Sequence, residues 1–474
     1  MSLLFRHGPL ASMVTDAPGD FDRLLQLTQH GIAIGAMAAF FAFLRRIYGS
    51  LPATLATLGW GTDLVFVGAT SSTYPEWLQA SLLAAAFCSA GLAFMQTNGP
   101  RKAVWYGTSV VFFSWCVLVK FNAVVLAPVY LVPLVAERRP LIRKLVWSGG
   151  YLLLALANLF VFVRFFHYPS TGTTRLTADT GWVLLTRMES VYDNELLPTS
   201  GPDTRRWLAL ASVLPMRYDV AAPGLFRSLD SIPAEFRAPY RPLFERFSRA
   251  DDDEIREWLE SHPVPEGFSV GLSVIPVCYY VGLFEGNDLG VRVALEAVES
   301  RPGTYVATTL RDLVTALTTR PKYPFFPLPQ NMDVFEFGIA SHKARGFVRL
   351  RQNDRPWNVP YAYRTPVVWL PGMRIFSWLN RLKLPGAVVS LLTMFAIGAA
   401  ALSALFQRSM RMEVGIVLTM GLCVGGVLLA SVLTLEFRWK EMCLVIPLVY
   451  ALIAVGLTWA PTESRRLVRV LTRA

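Results

Sequence analysis

LPGAVVSLLTMFAIGAAALSALF at 384–406, VGIVLTMGLCVGGVLLASVLTL at 414–435 and MCLVIPLVYALIAVGLTWA at 442–460 contain no Asp, Glu, Lys or Arg. Each approaches or exceeds the roughly 20 residues that a helix needs to cross bilayer hydrocarbon. Backbone N–H and C=O groups find no water there, so a crossing segment has to bond to itself as a helix. Six more apolar runs lie toward the N-terminus: Leu24–Leu44, Leu51–Ser71, Leu78–Gln96, Ala103–Val119, Phe121–Ala136 and Leu145–Val163. Asp63 and three glycines interrupt the second of these, and Lys120 alone separates the fourth from the fifth. The expected fold is therefore an all-α polytopic membrane protein with eight or nine transmembrane helices.

Composition agrees with this. The chain is 53% hydrophobic and only 17% charged, with mean hydropathy +0.40. Soluble domains carry nearer a quarter charged residues. The net charge of +11 does not indicate a nucleic-acid partner. Its Arg residues fall in short loops and in one mixed-charge region, and no basic stripe with interleaved aromatics runs through a polar segment. Of the five cysteines, Cys88, Cys116, Cys423 and Cys443 lie inside apolar runs, and Cys278 stands alone. This spacing supports neither a disulfide framework nor a zinc site. Residues 1–23 hold no apolar core of signal-peptide length.

Orientation is set by Lys and Arg in short loops, which favour the cytoplasm. Arg45 and Arg46, Arg101 and Lys102, Arg138 to Lys144, Arg408 and Arg411, and the Arg residues after Ala460 share one side if all nine segments cross. The expected organisation is an outer segment 1–23, a transmembrane bundle 24–163, an extracytoplasmic Pro-rich domain 164–383, transmembrane helices 384–460 and a basic cytoplasmic tail 461–474. The outer domain holds most of the chain's 34 acidic residues. Within it, Gly181–Arg187, Glu254–Ser261 and Val291–Leu317 are predicted helices, the last broken at Arg301-Pro302-Gly303. Asp251-Asp252-Asp253-Glu254 reads as a helix N-terminus, where acids suit the dipole; as a Ca²⁺ loop it lacks the Gly and closing Glu of an EF-hand.

Ionisable groups at the outer ends of apolar helices are the informative ones. Ser71 to Trp77 places Pro75 and Glu76 at a helix start, which fits either plain capping or a carboxylate aimed into an outer cavity. Lys120, with Phe121 and Asn122, breaks a long apolar stretch and reads as a snorkelling interfacial cation or as a phosphate ligand. Glu436 to Glu441 puts Arg438 and Lys440 beside two aromatics, the composition of an interfacial belt or of a lipid-phosphate grip. Arg175 and Arg187 lie just after the sixth span, on the expected substrate side. No GxSxG, HExxH or P-loop pattern occurs.

In the order of these residues the chain resembles the GT-C superfamily of bacterial membrane glycosyltransferases. Leu-Thr-Gln-His-Gly at 27–31 and Leu-Arg-Arg-Ile-Tyr-Gly at 44–49 resemble the helix and cytoplasmic turn after the family's catalytic loop. Tyr-Pro-Glu at 74–76 is similar to the later acidic position. Val119 to Pro128 resembles the short paired helices, and Leu435 to Lys440 resembles the late outer loop. Asn287–Val306 looks like a segment of the outer domains. The resemblance implies inverting hexosyl or pentosyl transfer from a polyprenyl-phosphate-linked sugar at the bacterial inner (plasma) membrane. Donor phosphate would be held by Lys120, Asn122, Arg438 and Lys440. Many members use a divalent metal, and no residue here is assigned to one.

The family's catalytic carboxylate lies in a first outer loop that comes after a helix. Asp16, Asp20 and Asp22 are the acids nearest that place, with Glu76 after them. The alternatives are a truncated, inactive homologue lacking that loop, and a transporter or flippase of lipid-linked sugars. Sequence patterning names no protein partner.

Topology is directly testable. A phosphatase reporter fused at Asp251 should be active outside the cytoplasm, and one fused after Ala474 should be silent. Equal activity of both fusions would rule out nine crossings.

Overall fold

The computed structural model describes residues 18–63, 76–96, 99–119, 121–127, 141–168, 180–192, 201–214, 241–264, 277, 282–318, 386–406, 411–434 and 443–472. Every regular element among them is helical. The first set is α1 (Pro18–Tyr48), α2 (Ser50–Gly61), α3 (Glu76–Met95), α4 (Gly99–Val119) and α5 (Leu141–Phe162). The second set is α6 (Thr180–Tyr192), α7 (Pro202–Val213), α8 (Arg241–Arg249), α9 (Asp252–Ser261), α10 (Leu283–Ser300) and α11 (Pro302–Thr318). The third is α12 (Gly386–Phe406), α13 (Met412–Thr434), α14 (Ile446–Thr458) and α15 (Ala460–Leu471).

Six helices among the described residues are long and apolar enough to cross a membrane: α1, α3, α4, α5, α12 and α13. A seventh is added if α14 and α15, bent by 49°, form one span. Two expected spans look different. The stretch Leu51–Ser71 begins as α2, a helix of only 12 residues. At 1.5 Å per residue it is about 18 Å long, little more than half a hydrocarbon layer. The stretch Phe121–Ala136 begins as a 3-10 turn, Phe121–Leu126.

Packing sets the direction of each helix. Ser109 Oγ donates to the Ala86 carbonyl at 2.8 Å and Gln79 Nε2 to the Cys116 carbonyl at 3.4 Å, so α3 and α4 are antiparallel. Tyr106 meets Tyr151 at 5.6 Å and Trp115 meets Phe162 at 6.2 Å, so α4 and α5 run parallel. The chain between Val119 and Leu141 therefore joins opposite ends of the bundle. One end gathers Arg45 and Arg46 in the last turn of α1 and Lys102 near the Phe94 and Tyr106 rings. It also holds the Arg411–Glu463 ion pair and the 2.7 Å bond from the Tyr48 hydroxyl to the Glu413 carbonyl. The basic loops that charge counting puts on one side thus meet in space.

The bundle core is built on Phe40, Trp60, Trp77, Leu83, Met420 and Leu452. Small residues let its helices approach closely, as van der Waals packing in lipid requires. A Cβ at Gly456 of α14 would collide with the Leu392 carbonyl of α12, and one at Gly59 of α2 with the Tyr450 ring. Outward-facing α5 leaves Leu152, Leu153 and Phe160 exposed. Exposed apolar side chains on a helix of crossing length fit contact with lipid.

Helices α6 to α10 form a second core around Trp207, Leu185, Leu289, Val293, Phe247 and Ile255. Asp251 caps α9, accepting the Glu254 N–H at 2.9 Å, as the acidic run predicts. The predicted break holds at Arg301, where Pro302 opens α11 at a position whose missing N–H costs nothing. Sequence patterning missed α7. Its first turn depends on a distant residue, Glu296, whose carboxylate accepts the Asp203 and Thr204 N–H groups at 3.0 and 2.7 Å. The patterning also missed α8. Gly181 opens α6 against α10, its N–H donating to Asn287 Oδ1 at 2.7 Å.

Gly456→Val should destabilise the bundle by about 1–3 kcal/mol, the usual cost of overpacking. Thermal unfolding in detergent checks this against Gly425→Ala, where a Cβ meets nothing within 4 Å. The first should lower the midpoint and the second should leave it in place.

Candidate functional site

Asp63 is the ionisable group that the fold places most unusually. Gly49, with φ of 91°, makes the left-handed turn that sends the chain back from the basic end. α2 then climbs beside α1 and α14, and Trp60 packs edge-on against Phe40 at 5.7 Å. Gly61 ends the helix against the Met37 sulfur, halfway along the crossing stretch Leu27–Tyr48 of α1. The chain turns there, with the Thr62 N–H on the Leu58 carbonyl at 3.0 Å and the Asp63 N–H on the Trp60 carbonyl at 3.1 Å. Asp63 therefore stands about midway through the bundle. The Tyr450 hydroxyl donates to its Oδ2 at 2.7 Å, and the absent side chain of Gly59 makes room for the Tyr450 ring.

An ionisable group at this depth is costly to place. An Asp at a helix centre in the bilayer costs about 2.5–3.5 kcal/mol on insertion scales. An interhelical hydrogen bond in a membrane protein contributes about 0.6 kcal/mol. The Tyr450 bond offsets part of the cost, and by its depth in the bundle Asp63 is a functional candidate. Its sequence signal is an acid inside an apolar run. Taken as one complete span, that run makes Asp63 the least suitable acid. The early end of α2 reverses that ranking.

A second charged group sits where α6 and α11 meet the end of the bundle opposite the basic loops. Arg187 is fully buried, paired to Asp312 Oδ2 at 2.5 Å and donating to Thr309 Oγ1 at 3.2 Å. The Tyr305 ring lies 5.9 Å from its guanidinium carbon, and the Tyr305 hydroxyl donates to the Leu433 carbonyl at the end of α13. Burial raises the Tyr305 phenol above its ordinary value, against the opposing pull of Arg187, so it remains a donor at neutral pH. Nearby, Arg301 lies over the Tyr192 ring at 4.5 Å, and burial likewise raises that phenol. Sequence position alone puts Arg187 in an outer loop on the substrate side. Arg187 stands on α6, as the predicted helix over 181–187 has it, with its charge engaged by Asp312 at the joint between the two cores.

The remaining sequence candidates fall into two groups. Asp20 and Asp22 fall within the first five residues of α1, and Asn122 lies in the 3-10 turn; their side chains are outside the described set. The side chain of Glu76, the first residue of α3, is outside it too. Asp16, Lys120, Arg175, Arg438 and Lys440 lie outside the described residues altogether. Among the described residues, no three His, Cys, Asp or Glu side chains converge. That part of the chain offers no ligand set for the divalent ion suggested by the resemblance.

Comparison of the chain with protein-family models, curated proteins and solved structures found no match. The joint can be tested by a double-mutant cycle. Asp312→Leu removes the carboxylate partner of a buried guanidinium and should cost about 3–5 kcal/mol, whereas Arg187→Met with Asp312→Leu should cost less than either single change. Thermal unfolding in detergent decides it; additive losses would mean that the pair is not coupled.

Proposed function

We propose that the protein is a membrane glycosyltransferase that crosses the bacterial inner membrane eight or nine times. It moves a sugar from a polyprenyl-phosphate donor to an acceptor hydroxyl on the extracytoplasmic face. The observation that carries this reading is the Asp63 carboxylate, held by Tyr450 at the end of a half-depth helix. The parallel course of α4 and α5 supports the larger crossing number, because the chain between them has to return to the basic end.

In this mechanism a carboxylate accepts the acceptor's hydroxyl proton as that oxygen attacks the anomeric carbon. The bond from that carbon to the donor phosphate breaks, and the configuration inverts. Tyr450 orients Asp63. Asp16, Asp20, Asp22 and Glu76 are the other acids available on the outer side. Lys120, Asn122, Arg438 and Lys440 steady the departing polyprenyl phosphate, whose charge grows as the bond breaks.

One observation favours a second reading, translocation of a lipid-linked sugar. α2 stops midway, the 3-10 turn comes after α4, a π-helical turn Val163–His167 ends α5, and α14 bends into α15. Broken helices around mid-depth polar groups are the working parts of transporters.

One experiment separates the two. Proteoliposomes are given labelled polyprenyl-phosphate sugar and an acceptor extract. A transferase releases label to the acceptor, while a flippase moves intact donor between leaflets. Asp63→Asn keeps the shape and should lower transfer about 10²–10⁴-fold, without lowering the unfolding midpoint. Full transfer in Asp63→Asn and in each amidated variant of Asp16, Asp20, Asp22 and Glu76 would refute the carboxylate mechanism.

A further inference from the structure

A helix packed on a protein usually turns apolar residues inward and polar ones outward. On one side α11 does the reverse. Thr308 and Thr309 are buried, and Asp312 reaches in to Arg187. Val306, Leu310 and Val314, one turn apart, are 54%, 56% and 59% exposed. At about 100° per residue the helix divides into three sectors. Tyr305, Thr308, Thr309, Asp312 and Ala316 face inward. Val306, Leu310 and Val314 form an apolar flank, joined at its edges by half-buried Leu313 and Leu317. Arg311, Thr315 and Thr318 form an exposed polar flank on the other side.

The depth of this helix is fixed at both ends. Near its start, Tyr305 donates to the carbonyl of Leu433, the last residue of the crossing stretch Met412–Leu433. Near its finish, the Leu317 carbonyl accepts the Ser390 hydroxyl at 2.6 Å, in the first turn of the crossing stretch Ala387–Phe406. Two different crossing helices thus hold α11 across their shared end, where hydrocarbon gives way to headgroups. On α12, within two turns of Ser390, Leu391, Met394 and Phe395 are also exposed.

We propose that α11 is an in-plane helix of the membrane surface, with Val306, Leu310 and Val314 immersed at the headgroup–acyl boundary. The occupant of this flank is lipid of the same leaflet, because the bonds to Leu433 and Ser390 hold α11 at the depth where two crossing stretches end. Arg311 stands at headgroup level, where a cation meets lipid phosphate. The inference is independent of the chemistry proposed above. It makes α11 the element through which the membrane surface bears on Arg187 and on the α6–α10 core.

Spin labels placed by Leu310→Cys, Val314→Cys, Arg311→Cys and Thr315→Cys test it in phosphatidylethanolamine–phosphatidylglycerol proteoliposomes. The labelled parent chain supplies the background from native cysteines. Labels at Leu310 and Val314 should relax more with oxygen, which concentrates in lipid. Those at Arg311 and Thr315 should relax more with a water-soluble nickel chelate. Nickel access at Leu310 and Val314 equal to that at Arg311 would place the flank in water and overturn the proposal. Exclusion of both reagents there would overturn it too, by showing a protein cover. Val306→Cys replaces Leu310→Cys if that variant fails to insert.

Discussion

Hydrocarbon offers no partner to an N–H or a C=O, and the architecture depends on that constraint. Segments inside the bilayer are helices, and they associate by close packing rather than by hydrophobic exclusion. This gives glycine its part at Gly456 and Gly59, where neighbouring backbone or ring atoms occupy the place of a side chain. The same constraint makes the few polar groups at depth conspicuous. The Ser109, Gln79 and Cys116 side chains are spent on carbonyls of the neighbouring helix, and Thr57 and Thr419 on their own. Asp63 is the exception in kind, a carboxylate met by a phenol where α2 ends.

The two cores obey different rules. Around Trp207 and Val293, water outside makes apolar burial the driving force, and ion pairs such as Arg241–Glu245 and Arg246–Glu254 decorate the surface. Exposed pairs of this kind contribute little. Arg187 is different because it is wholly buried: losing Asp312 would remove its carboxylate partner away from water. The pair fixes α6 to α11, and α11 is fixed in turn to α12 and α13. Among the described residues, the contacts that tie this helical set to the bundle include Asp312 to Arg187, Tyr305 to Leu433 and Ser390 to Leu317, and α6 also packs on α13.

Much of this was legible in the sequence. The charge-free runs at 384–406 and 414–435 are helices of crossing length because lipid leaves them no alternative. Basic loops far apart in the chain share an end, since charge bias reports orientation locally at each turn. The acidic run at Asp251 caps a helix, and Pro302 restarts one, because both effects act within a single turn of backbone. Position along the chain left open which acid matters. The stretch Leu51–Ser71 has the hydropathy of a crossing, and only the packing of Gly61 on Met37 and of Gly59 on Tyr450 places Asp63 midway.

The sequence by itself determined the class of fold, the shared end of the basic loops and several local starts and stops of helices. Each of these depends on solvent or on neighbours within a few residues. Tertiary structure alone decided the pairings across hundreds of positions: Tyr450 with Asp63, Asp312 with Arg187, Glu296 with the start of α7. A carboxylate, a phenol or a guanidinium carries no mark of its partner in its own stretch of chain. The partner is set by which helix faces meet, and that is a property of the packed whole.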